Sequence, residues 1–405
     1  MDKHKEALFI IEKLNRAGYI AYYAGGWVRD LLLKHVSDDI DIATSAPPEV
    51  VQGLFEHTVP IGLAFGIILV IINDEKYEVA TFRKDINYKD GRRPESVEYT
   101  TPFQDAIRRD FTINGMFYDP LKDEILDFIE GQKDLSKKII KAIGNPHERI
   151  SEDRLRMIRA IRLATRFDFK IEEETKKAIL AHSNELFPAV AIERIYQEMQ
   201  KMANYSKLKK SLLKLFDYNL LDKIFPQLKL ISKNSLEQKL KFTDLIPNKY
   251  PLITKLLELF PNFSKEQIED LCNYLKLSNK DMNLALHLFE TRKLLKTTLD
   301  NFTLANLYAN SNTEMCLYII NLHNPKNEQK AFLKEHEVNK KKLHKAILRI
   351  KHKKPLITSK MLIDLGINPG PKLGEILKIA EKIAINEEIY SPEKVIEKLK
   401  EKKLL

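Results

Sequence analysis

The opening stretch, MDKHKEALFIIEKLNRAGY, places Ala7, Leu8, Ile11 and Leu14 at helical spacing with charges between them. The pattern then changes to short runs rich in Ile and Val. Ala21–Ala24 predicts a strand, Gly25–Gly26 a turn, and about Val28 to Lys34 a helix. Asp39–Thr44, Thr58–Ile61, Ile67–Ile72 and Tyr77–Phe82 predict further strands, bounded by Gly, Pro, Asn and Asp. A helix followed by several close strands predicts an α+β unit with a largely β centre over residues 1–145. From about Glu148 the strand signal fades. Asp153–Arg166, Glu172–Ala181 and Glu193–Ala203 carry helical period, and the remainder reads as all-α. No fixed-period repeat occurs, which argues against a solenoid.

Composition adds bounds. At roughly 150 residues per domain, 405 residues predict two or three packed units, and 44% hydrophobic residues supply real cores. Lys and Arg number 67 against 57 Asp and Glu, a net charge of +10. That excess points to an acidic partner, with nucleic acid first. Part of it is concentrated between Lys326 and Lys354, where eleven basic residues face Glu328, Glu335 and Glu337; a solvated helical face would look the same. The two cysteines, Cys272 and Cys316, form no CxxC, so a disulfide framework and a Cys-rich zinc site are excluded, and a reducing cytoplasm fits. No run approaches about 18 apolar residues, so no membrane span is expected.

The stretch SDDIDIAT at 37–44 carries the chemistry. On a strand, Asp39 and Asp41 would share one face, with Ile40 and Ile42 on the other. Adjacent carboxylates repel, and a divalent cation compensates them. A DxD alone is as well read as a polar strand edge. GGWVRD at 25–30 changes the odds: the glycines let backbone approach a ligand, and the helix N-terminus with Arg29 favours an anion beside the metal. Glu78, in YEVATF, could stand on a neighbouring strand as a third carboxylate, or could simply pair with Arg83 or Lys76.

Taken in order, GGWVRD, DDIDIATSAPPEV, YEVATFR, DGRRPESV, RRDFTINGM and SEDRLRMIRAIR resemble the class II nucleotidyltransferases of the DNA-polymerase-β superfamily, which include bacterial CCA-adding tRNA nucleotidyltransferases and poly(A) polymerases. The specific motifs cover about residues 20–200. The resemblance implies an α+β polymerase-β-like head at 1–145, then an all-α neck at 146–205, body at 206–325 and tail at 326–405. It implies that Asp39 and Asp41 bind catalytic Mg²⁺, and Glu78 matches an acidic catalytic position of the family. It places Gly26, Arg29, Arg109, Asp153, Arg156, Arg159 and Arg162 at the nucleotide.

EDxxR at 152–156 has a physical logic. Asp accepts hydrogen bonds and Arg donates them. Cytosine and adenine both present an amino donor beside a ring-nitrogen acceptor, whereas uracil and guanine invert that order. An Asp153–Arg156 pair on one helix face therefore selects C and A without a nucleic-acid template. Arg162, nine residues from Asp153, lies about half a turn away at roughly 100° per residue, so Arg159 and Arg162 are left to phosphates or structural pairing. The segment 85–94, DINYKDGRRP, reads as a polar loop whose Arg92 and Arg93 can meet phosphates, and it resembles the family's CTP-to-ATP switching loop. PIGLAFGI at 60–67 lacks the basic residues of poly(A) polymerases. The expected activity is CCA addition to tRNA from CTP and ATP, in the cytoplasm, with Lys340, Lys341 and Lys342 as RNA contacts. A-only addition, poly(A) synthesis and an RNA-binding protein with a degenerate head are the alternatives.

Overall fold

A computed structural model describes residues 3–37, 39–88 and 94–405. The chain forms two compact units, Met1–Gln238 and Lys239–Leu405. Among the described residues, no helix is long and apolar enough to cross a membrane.

The first unit opens with α1 (Lys3–Arg16), β1 (Ala21–Ala24), α2 (Gly26–Leu32), β2 (Asp41–Thr44) and α3 (Pro48–Leu54). Strands β3 (Thr58–Gly62), β4 (Ile67–Ile72), β5 (Glu75–Thr81), β6 (Arg83–Tyr88) and β7 (Pro94–Tyr99) follow, then α4 (Pro102–Ile107), β8 (Phe117–Asp119) and β9 (Glu124–Leu126). The main sheet has the order β3-β4-β5-β2-β1-β8-β9. β2 is central: it pairs antiparallel with β1 and parallel with β5, matching Ala24 to Asp41 and Ile42 to Val79. Alternation then sorts the faces. Tyr23, Ile42, Tyr77 and Val79 are buried on the side where α1 packs with Ile10, Ile11 and Leu14. The Tyr77 hydroxyl donates to Glu6 Oε2 at 2.8 Å and so ties α1 to β5. On the opposite face, Ala24, Ala43, Phe82, Ala106 and Phe117 form a small core, and Asp41, paired with Ala24, is exposed.

Two expectations change here. Asp39 lies outside the strand, which starts at Asp41, so the two carboxylates do not alternate on one ladder. The ends of the expected 85–94 loop are strand: 85–88 belong to β6 and Pro94 to β7, which pair as an antiparallel ribbon with Ile86 opposite Ser96, while 89–93 lie outside the described residues. Few of its residues are apolar, so hydrophobic periodicity gave no strand signal there. Arg92 and Arg93 lie outside the described residues.

The remainder of this unit is mostly helical, comprising α5 (Gly131–Ser136), α6 (Pro146–Glu152), α7 (Leu155–Phe167), α8 (Glu173–His182), α9 (Ile192–Asn204) and α10 (Leu208–Asp217). A two-residue parallel ladder, β10 (Ile139–Ile140) with β11 (Lys170–Ile171), breaks the otherwise helical run. α7 packs against α9 and α10, burying Ile158, Ile161, Leu163 and Ala164. The second unit is helical throughout. One of its cores gathers Ala305, Leu307, Tyr308, Leu317, Leu343 and Ile347, and another Leu362, Ile376, Ala380, Val395 and Leu399.

Candidate active site

The parallel register of β2 and β5 sets Asp41 beside Glu78, one step before the Ile42–Val79 pair. Both are exposed, as is Asp39 just upstream of β2. Desolvation and the Asp39 and Glu78 carboxylates push Asp41 up to about 7, against the pull of Arg109. Because Asp41 is exposed, water offsets much of the desolvation, and the like charges dominate. This is the electrostatic situation a divalent cation relieves, and the donors are hard oxygens suited to one. Among the described residues, no three His, Cys, Asp or Glu side chains converge into a complete ligand set. Asp39 and Asp41 therefore fit a cation whose shell substrate oxygens complete. Glu78 adds negative charge beside them.

Arg109 is a cation that acts on Asp41. Its guanidinium lies 4.9 Å from the centroid of the Phe117 ring, and its Nη2 donates to Asp105 Oδ2 at 2.9 Å. Gly25 makes room for it. Gly25 adopts φ +67°, and a Cβ there would stand 3.0 Å from Arg109 Nη1. Gly26 serves Arg29 in the same way, with Arg29 Nη2 3.4 Å from where a Cβ would be. Arg29 is buried, donating from Nε to Asp30 Oδ1 at 2.9 Å and from Nη1 to Asn114 Oδ1 at 2.5 Å. It braces the turn from beneath. Asp30 also accepts from Arg166 at 3.0 Å.

Asp153 departs from the expected helix face. It sits in an extended break between α6 and α7, with φ −146° and ψ 104°. Its Oδ1 accepts from the Leu155 backbone N–H at 3.1 Å, which favours the break over a continuous helix. The 100° count from Asp153 to Arg162 therefore does not apply. Arg156 donates from Nη1 to Glu152 Oε2 at 2.6 Å and to the Arg149 carbonyl at 2.7 Å, and from Nη2 to the Arg108 carbonyl at 3.1 Å. Arg159 pairs with Asp110 and Arg162 with Glu198. Arg162 is buried; Arg159 keeps a third of its side chain exposed.

Sequence reasoning missed Asp30, Asp105, Asp110, Asn114 and Arg194, the supports of these side chains. Asp30 sits inside GGWVRD, Asp110 and Asn114 inside RRDFTIN and Asp105 just before it, so the motifs marked their neighbourhood. In the second unit, Lys340 pairs with Glu314, Lys341 with Glu337 at 3.0 Å, and Lys342 with Glu388 at 2.9 Å.

The sequence matches three families in succession: the Poly A polymerase head domain over 21–141, the probable RNA and SrmB-binding site of polymerase A over 168–231, and tRNA nucleotidyltransferase domain 2 (putative) over 251–399. The CCA-adding enzyme of Ligilactobacillus salivarius is 33% identical over an alignment of 414 residues, covering 98% of this chain and 96% of that protein. That of Pediococcus pentosaceus is 35% identical over 403 residues, covering 95% and 94%. The crystal structure of the Bacillus stearothermophilus CCA-adding enzyme in complex with CTP superposes with a TM-score of 0.75 at 26% identity, over 100% of this chain and 99% of that one. With near-complete coverage at this identity, the chain belongs to the CCA-adding enzyme family of nucleotidyltransferases.

Proposed function

We propose that this chain adds C, C and A to the 3′ end of tRNA, using CTP and ATP and releasing pyrophosphate. The observation that carries the reading is the carboxylate cluster of Asp41 with Asp39 and Glu78, opposed by Arg109. A Mg²⁺ ion held by Asp39 and Asp41 would polarise the α-phosphate and favour the attacking alkoxide of the tRNA 3′-hydroxyl. Arg109, held by Asp105 and the Phe117 ring, would offset charge on the departing pyrophosphate. Asp153 and Arg156 read the base edge as acceptor and donor. Each is anchored on one side and retains bonding capacity on the other. The two buried free cysteines fit a cytoplasmic setting.

The deciding experiment incubates the protein with labelled CTP and ATP, Mg²⁺ and tRNA lacking its 3′ end. A product that stops after three nucleotides is the expected result. One that stops after a single A, or a long A tail, would reassign the chain to A-addition or poly(A) synthesis. No incorporation would leave an RNA-binding protein.

A further inference from the structure

A template made of an Asp acceptor and an Arg donor has a built-in problem. Opposite charges three residues apart in the chain attract, and a salt bridge between them would quench both. Among the described residues, the Asp153 and Arg156 side chains share no hydrogen bond or ion pair, although the Arg156 backbone N–H donates to the Asp153 carbonyl at 3.0 Å; each side chain is held by a different counter-charge. Glu152 and two carbonyls hold Arg156. Arg194 holds Asp153, donating from Nη1 to Oδ1 at 3.2 Å and from Nη2 to Oδ2 at 2.9 Å.

The bonds at Asp153 can be counted. Oδ1 takes the Leu155 N–H and Arg194 Nη1, which uses both of its lone pairs. Among the described residues, Oδ2 takes only Arg194 Nη2, so one lone pair remains. The fork leaves a single acceptor in a fixed direction. Asp153 needs such a fixture, because it stands in a helix break and the final torsion of an Asp side chain is broad. The position of Arg194 itself calls for a reason. It lies in the first turn of α9, at the positive end of the helix, where a cation is disfavoured unless an anion compensates. The pair is mostly buried, with 22% and 19% of the two side chains exposed, so it is not a loose surface contact.

We infer that Arg194 is a positioning residue for base selection: its fork aims the one free lone pair of Asp153 at the amino group of C or A and keeps Asp153 off Arg156. The inference rests on the base-edge reading of Asp153 given above. It adds the residue, 41 positions away in sequence, that makes the acceptor directional.

The test measures kcat/KM for single CMP and UMP additions to tRNA lacking its 3′ end, in wild type, Arg194→Ala, Arg194→Lys, Asp153→Ala and the Arg194→Ala/Asp153→Ala double variant. In Arg194→Ala the CTP-to-UTP preference should fall by about tenfold or more, the scale of one mismatched polar contact. Lys, which has charge but no fork, should recover only part of it. The double variant should discriminate no worse than Asp153→Ala, because Arg194 acts through Asp153. A merely structural clamp would slow both nucleotides alike and leave the ratio unchanged; that result in both Arg194 variants, alongside loss of preference in Asp153→Ala, overturns the inference and leaves the base-edge reading standing. If Asp153→Ala discriminates normally, the base-edge reading fails and the inference with it. Melting curves identify a variant that does not fold, and where Arg194→Ala fails, the Arg194→Lys ratio decides.

Discussion

Arg159 holds Asp110 by one oxygen, its Nε and Nη2 lying 2.8 and 2.6 Å from Oδ2. The other oxygen accepts from Asn114 Nδ2 at 3.1 Å, and Asn114 in turn accepts from Arg29. This chain of bonds ties α7 to the segment beneath the Gly25–Gly26 turn. The helix that carries Arg156 and the Gly25–Gly26 turn thus share one hydrogen-bonded support.

Removing Arg159 leaves a buried carboxylate without its counter-charge. Arg159→Ala should cost about 3 kcal/mol, as for other broken buried pairs. Burial alone would raise the Asp110 carboxyl, yet Arg159 and the Asn114 bond hold it well below the usual range. A depressed carboxyl stabilises the fold above its unfolded pKa, about 4, and that contribution is lost as pH falls below it. The gap in melting temperature between wild type and Arg159→Ala should therefore narrow below about pH 4. A gap that stays constant would show that the pair does not carry the difference.

Asp41 and Asp39 make a second prediction. Asp39→Ala and Asp41→Ala should each lower nucleotide incorporation on the order of a thousandfold, the scale of losing a metal-bound oxygen's several kcal/mol. tRNA affinity, measured by filter binding, should change little. Melting temperature in the absence of metal should rise or hold in Asp41→Ala, because the substitution relieves repulsion from Asp39 and Glu78. Incorporation near wild-type levels in both variants would remove these residues from the chemistry.

The strands that were legible are those whose side chains alternate against a core. Ala21–Ala24 and Ile67–Ile72 appear with the predicted bounds. Glu78 was legible as a neighbour of Asp41 because both stand one residue before buried positions, Val79 and Ile42, on strands rich in apolar residues. What stayed hidden depends on partners distant in sequence or on single hydrogen bonds. The break at Asp153 is set by one bond to the Leu155 N–H, which a helical period does not register. Arg194 carries no local sign that it belongs to Asp153. β10 and β11 are two residues each, too short for a period. The lysine run between 326 and 354 was visible as charge, but its pairing with Glu314, Glu337 and Glu388 was not.

Gly25 yields a third prediction. Its φ of +67° disfavours any side chain, by about 1–2 kcal/mol for Ala. A Cβ would also press on Arg109 Nη1 at 3.0 Å. The guanidinium is the mobile end of a flexible side chain, so it should move and the fold should survive. Gly25→Ala should therefore melt only a few degrees lower while KM for CTP and ATP rises to a similar extent. Base preference should be unaffected, since Asp153 and Arg156 are untouched. A loss confined to one nucleotide would contradict the assignment of Arg109 to the shared triphosphate.

The lysines of the second unit make the last prediction. Each of Lys340, Lys341 and Lys342 already has a carboxylate partner, so an RNA phosphate must displace one. Lys341 is the most available, with 76% of its side chain exposed and an exposed i,i+4 partner in Glu337. Such surface pairs are worth roughly 0–1 kcal/mol, and a polyanion can exchange for them. If all three meet tRNA, a Lys340→Ala/Lys341→Ala/Lys342→Ala variant should weaken binding and lower the slope of log affinity against log salt by about 2. Glu337→Gln should act in the opposite sense, freeing Lys341 and tightening binding at low salt. A triple variant with an unchanged salt slope would show that these lysines serve the fold's surface and not the RNA.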